Sequence, residues 1–279
     1  MILIDLNQIV IANIMQEFNI KKSDELDLGF LRHLILNSIR SIKTKFSADY
    51  GELVLCDDTS DYWRKHIFPF YKENRKKIRA KSDYNWNNIF KTLKVIKEEI
   101  AENFPYKYIA INHCEADDII AVLSKTFYKK ENILIVSNDK DFVQLYKYPN
   151  VYQYSPLVRK FLQEGDPVNF LLTKIIKGDV SDGIPNILSD DDTFVCENKR
   201  QRKITKNILE NFDLNKLGHS SYENWLRNKK LIDFDEIPKN LEHKIIEVYH
   251  EPILGNHEKA FNYLTEHSLK LLLLMYGEF

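Results

Sequence analysis

Two hydrophobic patterns alternate along this chain. Short, unbroken apolar runs occur at Ile2-Leu3-Ile4, Leu53-Val54-Leu55, Tyr108-Ile109-Ala110-Ile111 and Ile133-Leu134-Ile135-Val136. Apolar residues on consecutive positions are how strands buried on both faces of a parallel sheet read. Between these runs the apolar residues recur at helical spacing. Helices are predicted over Gln8 to Phe18, over Leu28 to Phe46 (Leu31, Leu34, Ile35, Ile39 and Ile42 on one stripe), and over Trp86 to Ile100. Another is predicted to open at Glu115-Ala116-Asp117-Asp118 and run through Phe127, with a short helix after Asp141 and an edge strand at Val151 to Tyr154. Such βα repetition predicts an α/β fold with a mainly parallel central sheet flanked by helices.

From about residue 166 the strand signal ends. A helix over Val168 to Ile176 is broken by Gly178-Asp179-Val180-Ser181-Asp182-Gly183-Ile184-Pro185. Short helices follow at about 203–212, 221–230, 240–249 and 257–275. The predicted organisation is therefore a core over 1–180 and a smaller helical domain over 181–279, within the range that 279 residues can supply. No apolar run approaches the roughly 20 residues that span a bilayer. No basic region precedes the first strand, so no signal peptide is expected. Cys56, Cys114 and Cys196 are odd in number and widely spaced, fitting neither a zinc site nor a disulfide framework. They predict a reducing, cytoplasmic setting.

Each strand run stops at acids: Asp5, then Asp57-Asp58, then Glu115, then Asp139 and Asp141. Ligands of parallel sheets collect at the carboxyl ends of the strands, so side-by-side strands would bring these carboxylates to one edge. Two carboxylates about 4 Å apart repel by about 4 kcal/mol at an effective dielectric near 20. A cation must hold such a cluster, and oxygen-only ligands favour hard Mg²⁺ or Mn²⁺. Acids in a first helical turn also serve the helix dipole, and Asp179 and Asp182 suit a turn. Four strand ends and one turn gathering acids together nevertheless point to metal-dependent phosphoryl transfer.

Net charge is −1, but the charge is unevenly placed. Arg64 to Lys81 carries Arg64, Lys65, Lys72, Arg75, Lys76, Lys77, Arg79 and Lys81 against Glu73 alone, and Glu197 to Lys206 carries Lys199, Arg200, Arg202, Lys203 and Lys206 against Glu197. Trp63, Phe68, Phe70, Tyr71, Tyr84 and Trp86 flank or interleave the first run. Cations that follow a backbone and aromatics that stack on bases are the recipe for binding single strands.

Together the segments Ile2-Leu3-Ile4-Asp5, Leu53-Val54-Leu55-Cys56-Asp57-Asp58, Tyr62-Trp63-Arg64-Lys65, Tyr71-Lys72-Glu73-Asn74-Arg75, Glu115-Ala116-Asp117-Asp118, Ser137-Asn138-Asp139-Lys140-Asp141 and Lys177-Gly178-Asp179-Val180-Ser181-Asp182 resemble, in order, the 5′-nuclease (flap endonuclease) family within the PIN-like group. The resemblance implies a first metal cluster at Asp5, Asp58, Glu115, Asp117 and Asp139. A second is implied at Asp118, Asp141, Asp179 and Asp182, and Asp57 has no counterpart. It implies a helical arch over about 62–86 with Lys72 and Arg75 on catalytic, phosphate-contacting positions. The remaining cations of that stretch (Arg64, Lys65, Lys76, Lys77, Arg79, Lys81) are expected to bind nucleic acid. Gly178 to Ile187 resembles the start of a helix–turn–helix element that grips duplex backbone, with Lys199, Arg200, Arg202 and Lys203 beyond it. There the chain departs from the family: Leu188-Ser189-Asp190-Asp191-Asp192 replaces a second glycine hairpin, putting a monovalent-ion site at that turn in question.

The implied activity is 5′ to 3′ exonuclease and flap endonuclease cleavage with two Mg²⁺ ions, leaving 5′-phosphates. The implied partners are DNA with 5′ flaps, nicks or ends, RNA–DNA hybrids, and a single-stranded-DNA-binding protein of replication. Two rivals are weaker. A haloacid-dehalogenase phosphatase needs a second Asp two residues after the first, where Leu6-Asn7 follow Asp5. A silent nucleic-acid-binding protein would keep carboxylates that, without metal, repel DNA.

Overall fold

The computed structural model describes residues 1–21 and 27–279. Its elements run β1 (Ile2–Asp5), α1 (Leu6–Lys21), α2 (Leu28–Tyr50), β2 (Leu53–Asp57), α3 (Trp63–Ile67), α4 (Glu73–Ala80), α5 (Trp86–Asn103), β3 (Lys107–Ala110), α6 (Ala116–Phe127) and β4 (Ile133–Val136). A 3₁₀ helix (Lys140–Lys147) follows, then β5 (Val151–Ser155), β6 (Lys160–Leu162), α7 (Pro167–Lys177), α8 (Lys206–Glu210), α9 (His219–Ile232), α10 (Lys239–His250), α11 (His257–Glu266) and α12 (Lys270–Leu273). No helix of the described residues is long and apolar enough to cross a membrane.

The sheet order is β3-β2-β1-β4-β5-β6, parallel except for β6. Alternate residues of the central strands enter opposite layers. Ile2, Ile4, Leu53 and Leu55 pack with α1, α2 and α5, whereas Leu3, Val54, Ile133 and Ile135 pack with α6. Both faces are covered, which is why these strands read as unbroken apolar runs. The order reverses between β1 and β4, and in open α/β sheets a crevice opens at that switch point. Asp5 ends β1 there, and Asp139 follows β4.

The chain beyond residue 181 completes these layers. Tyr263, Leu264, Leu272 and Phe279 join the first, and Phe234, Ile237, Leu241 and Ile245 join the second. Three elements differ from the predicted ones. Val151–Ser155 is not an edge: β6, too short and exposed to show a pattern, pairs antiparallel outside it. The helix expected over 257–275 breaks at Ser268, whose φ is +54°, and Leu271 and Leu274 point outward around buried Leu272. The helix expected near 203–212 shrinks to α8. The polar stretch before it instead folds back on the turn after α7, where the Asn186 N–H donates to Gln201 Oε1 (2.8 Å) and the Asn186 side-chain amide to the Arg202 carbonyl (2.7 Å).

Candidate active site

Eight carboxylates line one cavity of about 520 Å³ at the switch point: Asp5, Asp58, Glu115, Asp117, Asp139, Asp141, Asp179 and Asp182. Each arrives by local rules. Asp5 and Asp58 end or follow parallel strands, and Glu115 caps α6 with Asp117 in its first turn. Asp139 caps the 3₁₀ helix, accepting the Asp141 N–H at 2.8 Å. Asp179 and Asp182 sit on the turn after α7, which an antiparallel bridge between Asp179 and Ile184 closes. That turn requires Gly178: its φ is +69°, and a Cβ there would lie 2.3 Å from the Ile184 carbonyl oxygen.

Four cations share the cavity: Lys72, Arg75, Lys140 and Lys174. The Lys72 ammonium pairs with Glu115 and lies 3.8 Å from Asp182, while Arg75 Nη2 donates to Asp182 Oδ1 at 2.6 Å. Lys72 holds a left-handed backbone (φ +59°) at the cap of α4, and its N–H donates to the Asp182 carbonyl at 2.7 Å. Lys174, on α7, bridges Asp141 and Asp179, the latter at 2.7 Å.

Electrostatics divide the acids. Burial, then repulsion from Asp58 and Asp139, pushes Asp5 up to about 7. Burial chiefly raises Asp58, and burial with repulsion from Asp139 and Asp5 raises Asp117. Asp141 rises to about 6, because burial exceeds the help of Lys174. Asp179 is held low despite burial, because Lys174 and Ser181 bond to it. Burial alone would lower Lys72 and Lys174, but their carboxylate partners hold both up.

Fully ionised, eight carboxylates against four cations would carry a formal excess of four negative charges, and Asp5, Asp58, Asp117 and Asp141 are raised by burial and by that crowding. The donors are all oxygen, which suits a hard ion. The residues present thus fit a site for hard divalent metal.

Comparison with known proteins decides the family. The model described as 5'-3' exonuclease, N-terminal resolvase-like domain, matches residues 1–169, and that described as T4 RNase H, C terminal, matches 165–279. The chain belongs to the 5′–3′ exonuclease family. It is 35% identical to the ribonuclease H of Enterobacteria phage T4 over 99% of this chain and 95% of that one. It is 30% identical to flap endonuclease Xni of Shewanella loihica over 48% of each chain. The fold matches the bacteriophage T5 D15 flap endonuclease, solved with DNA and metal ions, at a TM-score of 0.66 and 18% identity, covering 90% of this chain and 99% of that one. A T5 5'-exonuclease solved with zinc matches at 0.64, also at 18% identity, covering 90% and 99%. This family member is accordingly a metal-dependent nuclease.

Several expected roles change in this exonuclease fold. Asp118, expected to hold metal, lies outside the cavity and is fully buried. Its oxygens accept from both Arg64 Nη atoms (2.7 and 3.0 Å), Trp63 Nε1 (3.0 Å) and the Glu115 N–H (3.1 Å), which leaves a metal little to bind. Arg64, expected on nucleic acid, is equally buried. It also donates to Glu115 (2.7 Å) and to the Leu231 carbonyl (2.8 Å), pinning α9 to the core. Trp63, Phe68 and Tyr71 are buried and cannot stack on bases. Tyr71 instead places its hydroxyl 2.9 Å from Glu115 and 3.0 Å from Asp182.

The exposed part of the stretch expected to form the arch is α4, which buries none of its residues. Lys76 and Lys77 are exposed on it, Lys77 reaching the Val195 carbonyl, and Lys81 is exposed just beyond. Arg79 lies over the Trp86 and Phe90 rings, and Lys65 over Tyr62. In the later run Lys199 pairs with Asp190 and Asp192, whereas Arg200, Arg202 and Lys203 are exposed. Asp57 is claimed by buried Lys97 and the Tyr108 hydroxyl. Lys174 escaped the sequence reading. A lone lysine inside Phe170-Leu171-Leu172-Thr173-Lys174-Ile175-Ile176 was its one signal.

Proposed function

We propose that this chain is a Mg²⁺-dependent 5′ to 3′ exonuclease and structure-specific flap endonuclease. Its substrates are DNA with 5′ flaps, nicks or ends, and RNA–DNA hybrids, as in primer removal during replication in a bacterial cytoplasm. A single-stranded-DNA-binding protein of the replication machinery is the proposed partner. One observation carries the reading: the formal four-charge excess of a carboxylate cavity into which a cationic arch reaches.

Asp5, Asp58, Glu115, Asp117 and Asp139 would hold one ion, and Asp141, Asp179 and Asp182 the other. Two Mg²⁺ ions there, with Mn²⁺ as a substitute, would supply Lewis-acid activation of water and support for the leaving 3′ oxygen. The protein's own residues do the rest. Lys72 and Arg75 enter from the arch and neutralise charge growing on the scissile phosphate. To do so they exchange Glu115 and Asp182 for phosphate oxygens. Lys65, Lys76, Lys77, Arg79 and Lys81 follow the unpaired strand, with Tyr84, Trp86 and Phe90 as the accessible aromatics. Arg200, Arg202 and Lys203 meet duplex backbone.

Incubation of flap, nicked and hybrid substrates with Mg²⁺ or with EDTA tests this reading. Products with 5′-phosphates formed only with Mg²⁺ support it. Binding without cleavage of any substrate in Mg²⁺ or Mn²⁺ would instead mark a silent binding protein.

A further inference from the structure

A second, chemically different constellation lies outside the carboxylate cavity. Asp61, in the loop before α3, faces His66 on α3 and His113 in the loop between β3 and α6. One ligand atom from each lies within 4.8 Å of the other two. His113 Nδ1 is 2.8 Å from Asp61 Oδ2, and His66 Nε2 is 3.3 Å from Asp61 Oδ1. Tetrahedral zinc with ligands at about 2.0–2.1 Å sets them about 3.3 Å apart. The side chains therefore need little movement to receive an ion. All three are about half exposed, leaving room for water on the remaining positions.

The backbone holds this arrangement. Tyr62 and His113 form a parallel bridge, Trp63 N–H donates to the His113 carbonyl at 2.9 Å, and Thr59 N–H to the Cys114 carbonyl at 3.2 Å. His113 itself is left-handed, at φ +72°, a conformation that few residues other than Gly, Asn, Asp and His adopt. That turn aims its ring at Asp61. Two imidazoles and one carboxylate suit a borderline transition metal and not Mg²⁺.

We propose that Asp61, His66 and His113 form a transition-metal site, of the Zn²⁺ class, separate from the carboxylate cavity. An ion there ties the loop that leads into the arch to the loop that leads into Glu115. The reading is independent of the nuclease assignment.

Calorimetric titration of Zn²⁺ in excess Mg²⁺ tests it on the wild type, His66→Gln, His113→Asn and Asp139→Asn. Asparagine tolerates the left-handed backbone at 113, so that variant should fold, and unchanged unfolding temperatures in EDTA verify this for both His variants. The expected result is one Zn²⁺ equivalent on the wild type and on Asp139→Asn, with affinity at least tenfold weaker in both His variants. The same Zn²⁺ should raise the unfolding temperature of the wild type more than that of either His variant. No Zn²⁺ uptake by the wild type, or uptake that both His variants retain, would overturn the proposal.

Discussion

Replacing Asp5 by Asn should make the metal-free protein more stable, and only above acidic pH. Asp5 is a buried carboxylate pushed from an ordinary value near 3.8 to about 7 by burial and by Asp58 and Asp139. Below about pH 3.8 the folded and unfolded chains both hold the proton, so the group costs nothing. Between that pH and about 7 only the folded chain holds it, and stability falls as pH rises. Above about 7 the full penalty is present. At about 1.36 kcal/mol per pKa unit it reaches about 4 kcal/mol, of which about 1.6 has accumulated by pH 5. Water entry and side-chain relaxation reduce this to roughly 2–4 kcal/mol. The amide oxygen of Asn can still accept the Gln8 N–H that Asp5 accepts at 3.1 Å, so that hydrogen bond survives.

For a chain of this size about 1 kcal/mol moves the midpoint by about 2 °C, so the variant should melt about 4–8 °C higher than the wild type in EDTA at pH 8. At pH 4 the two should nearly coincide. Saturating Mg²⁺ should raise the wild type more than the variant and close or invert the gap, because the ion stabilises only the form that binds it. Circular-dichroism melts at several pH values with and without Mg²⁺ measure all of this. An Asn variant that melts lower than the wild type in EDTA at pH 8 would refute the picture of an acid strained by its neighbours.

Asp118→Asn should act oppositely, losing about 3–5 kcal/mol because it breaks a buried ion pair with Arg64, and a denaturant melt indistinguishable from the wild type would refute the pairing role. Lys72→Ala should lower the single-turnover cleavage rate far more than affinity, while Lys77→Ala should mainly weaken binding; equal effects on both parameters in both variants would erase the distinction. Lys174→Met removes the ammonium between Asp141 and Asp179, so divalent-ion affinity should rise about tenfold by calorimetry while metal-free stability falls; unchanged affinity would show that the lysine does not compete with metal. Reversing Arg200, Arg202 and Lys203 to Glu should weaken duplex binding more than single-strand binding and flatten the log-affinity against log-salt slope by roughly 2.7, using about 0.9 per contact. Equal losses on both substrates would make this run something other than a duplex anchor.

The α/β core was legible because its central strands are buried on both faces and its helices carry stripes. The switch-point cavity was legible because strand ends are where a parallel sheet leaves backbone and side chains open. What escaped notice depends on partners distant in sequence. Nothing local distinguishes Asp118 from Asp117, one residue away on the same helical turn; Arg64, 54 residues earlier, makes the difference. Asp57 beside Asp58 was set apart by the family resemblance, and Lys97 is its physical reason. Trp63, Phe68 and Tyr71 look like a base-stacking series in one dimension, yet all three are buried: Phe68 and Tyr71 pack with Leu231 and Ile232 of α9, and Trp63 packs in the layer that holds α6.

These pairings suggest how the cavity keeps its charge. Lys97 is committed, through buried contacts, to Asp57, which faces away from the crevice, and Arg64 is shared between Asp118, which also faces away, and Glu115, which lines it. Lys72, Arg75 and Lys174 contact acids that face into it, and they reach the cavity from the arch or from α7. A core cation with no second acid to balance it, as Asp118 balances Arg64, would cancel the cavity's charge permanently. On the proposed function, Lys72 and Arg75 would be free to exchange their carboxylates for phosphate oxygens once a divalent ion neutralised those acids. Glu115 sits at the meeting point of both systems. It accepts from Arg64, Tyr71 and Lys72, so two of its contacts persist when Lys72 departs. That leaves the carboxylate oriented while its net charge toward the crevice increases, the condition under which a metal would bind without the helix losing its cap.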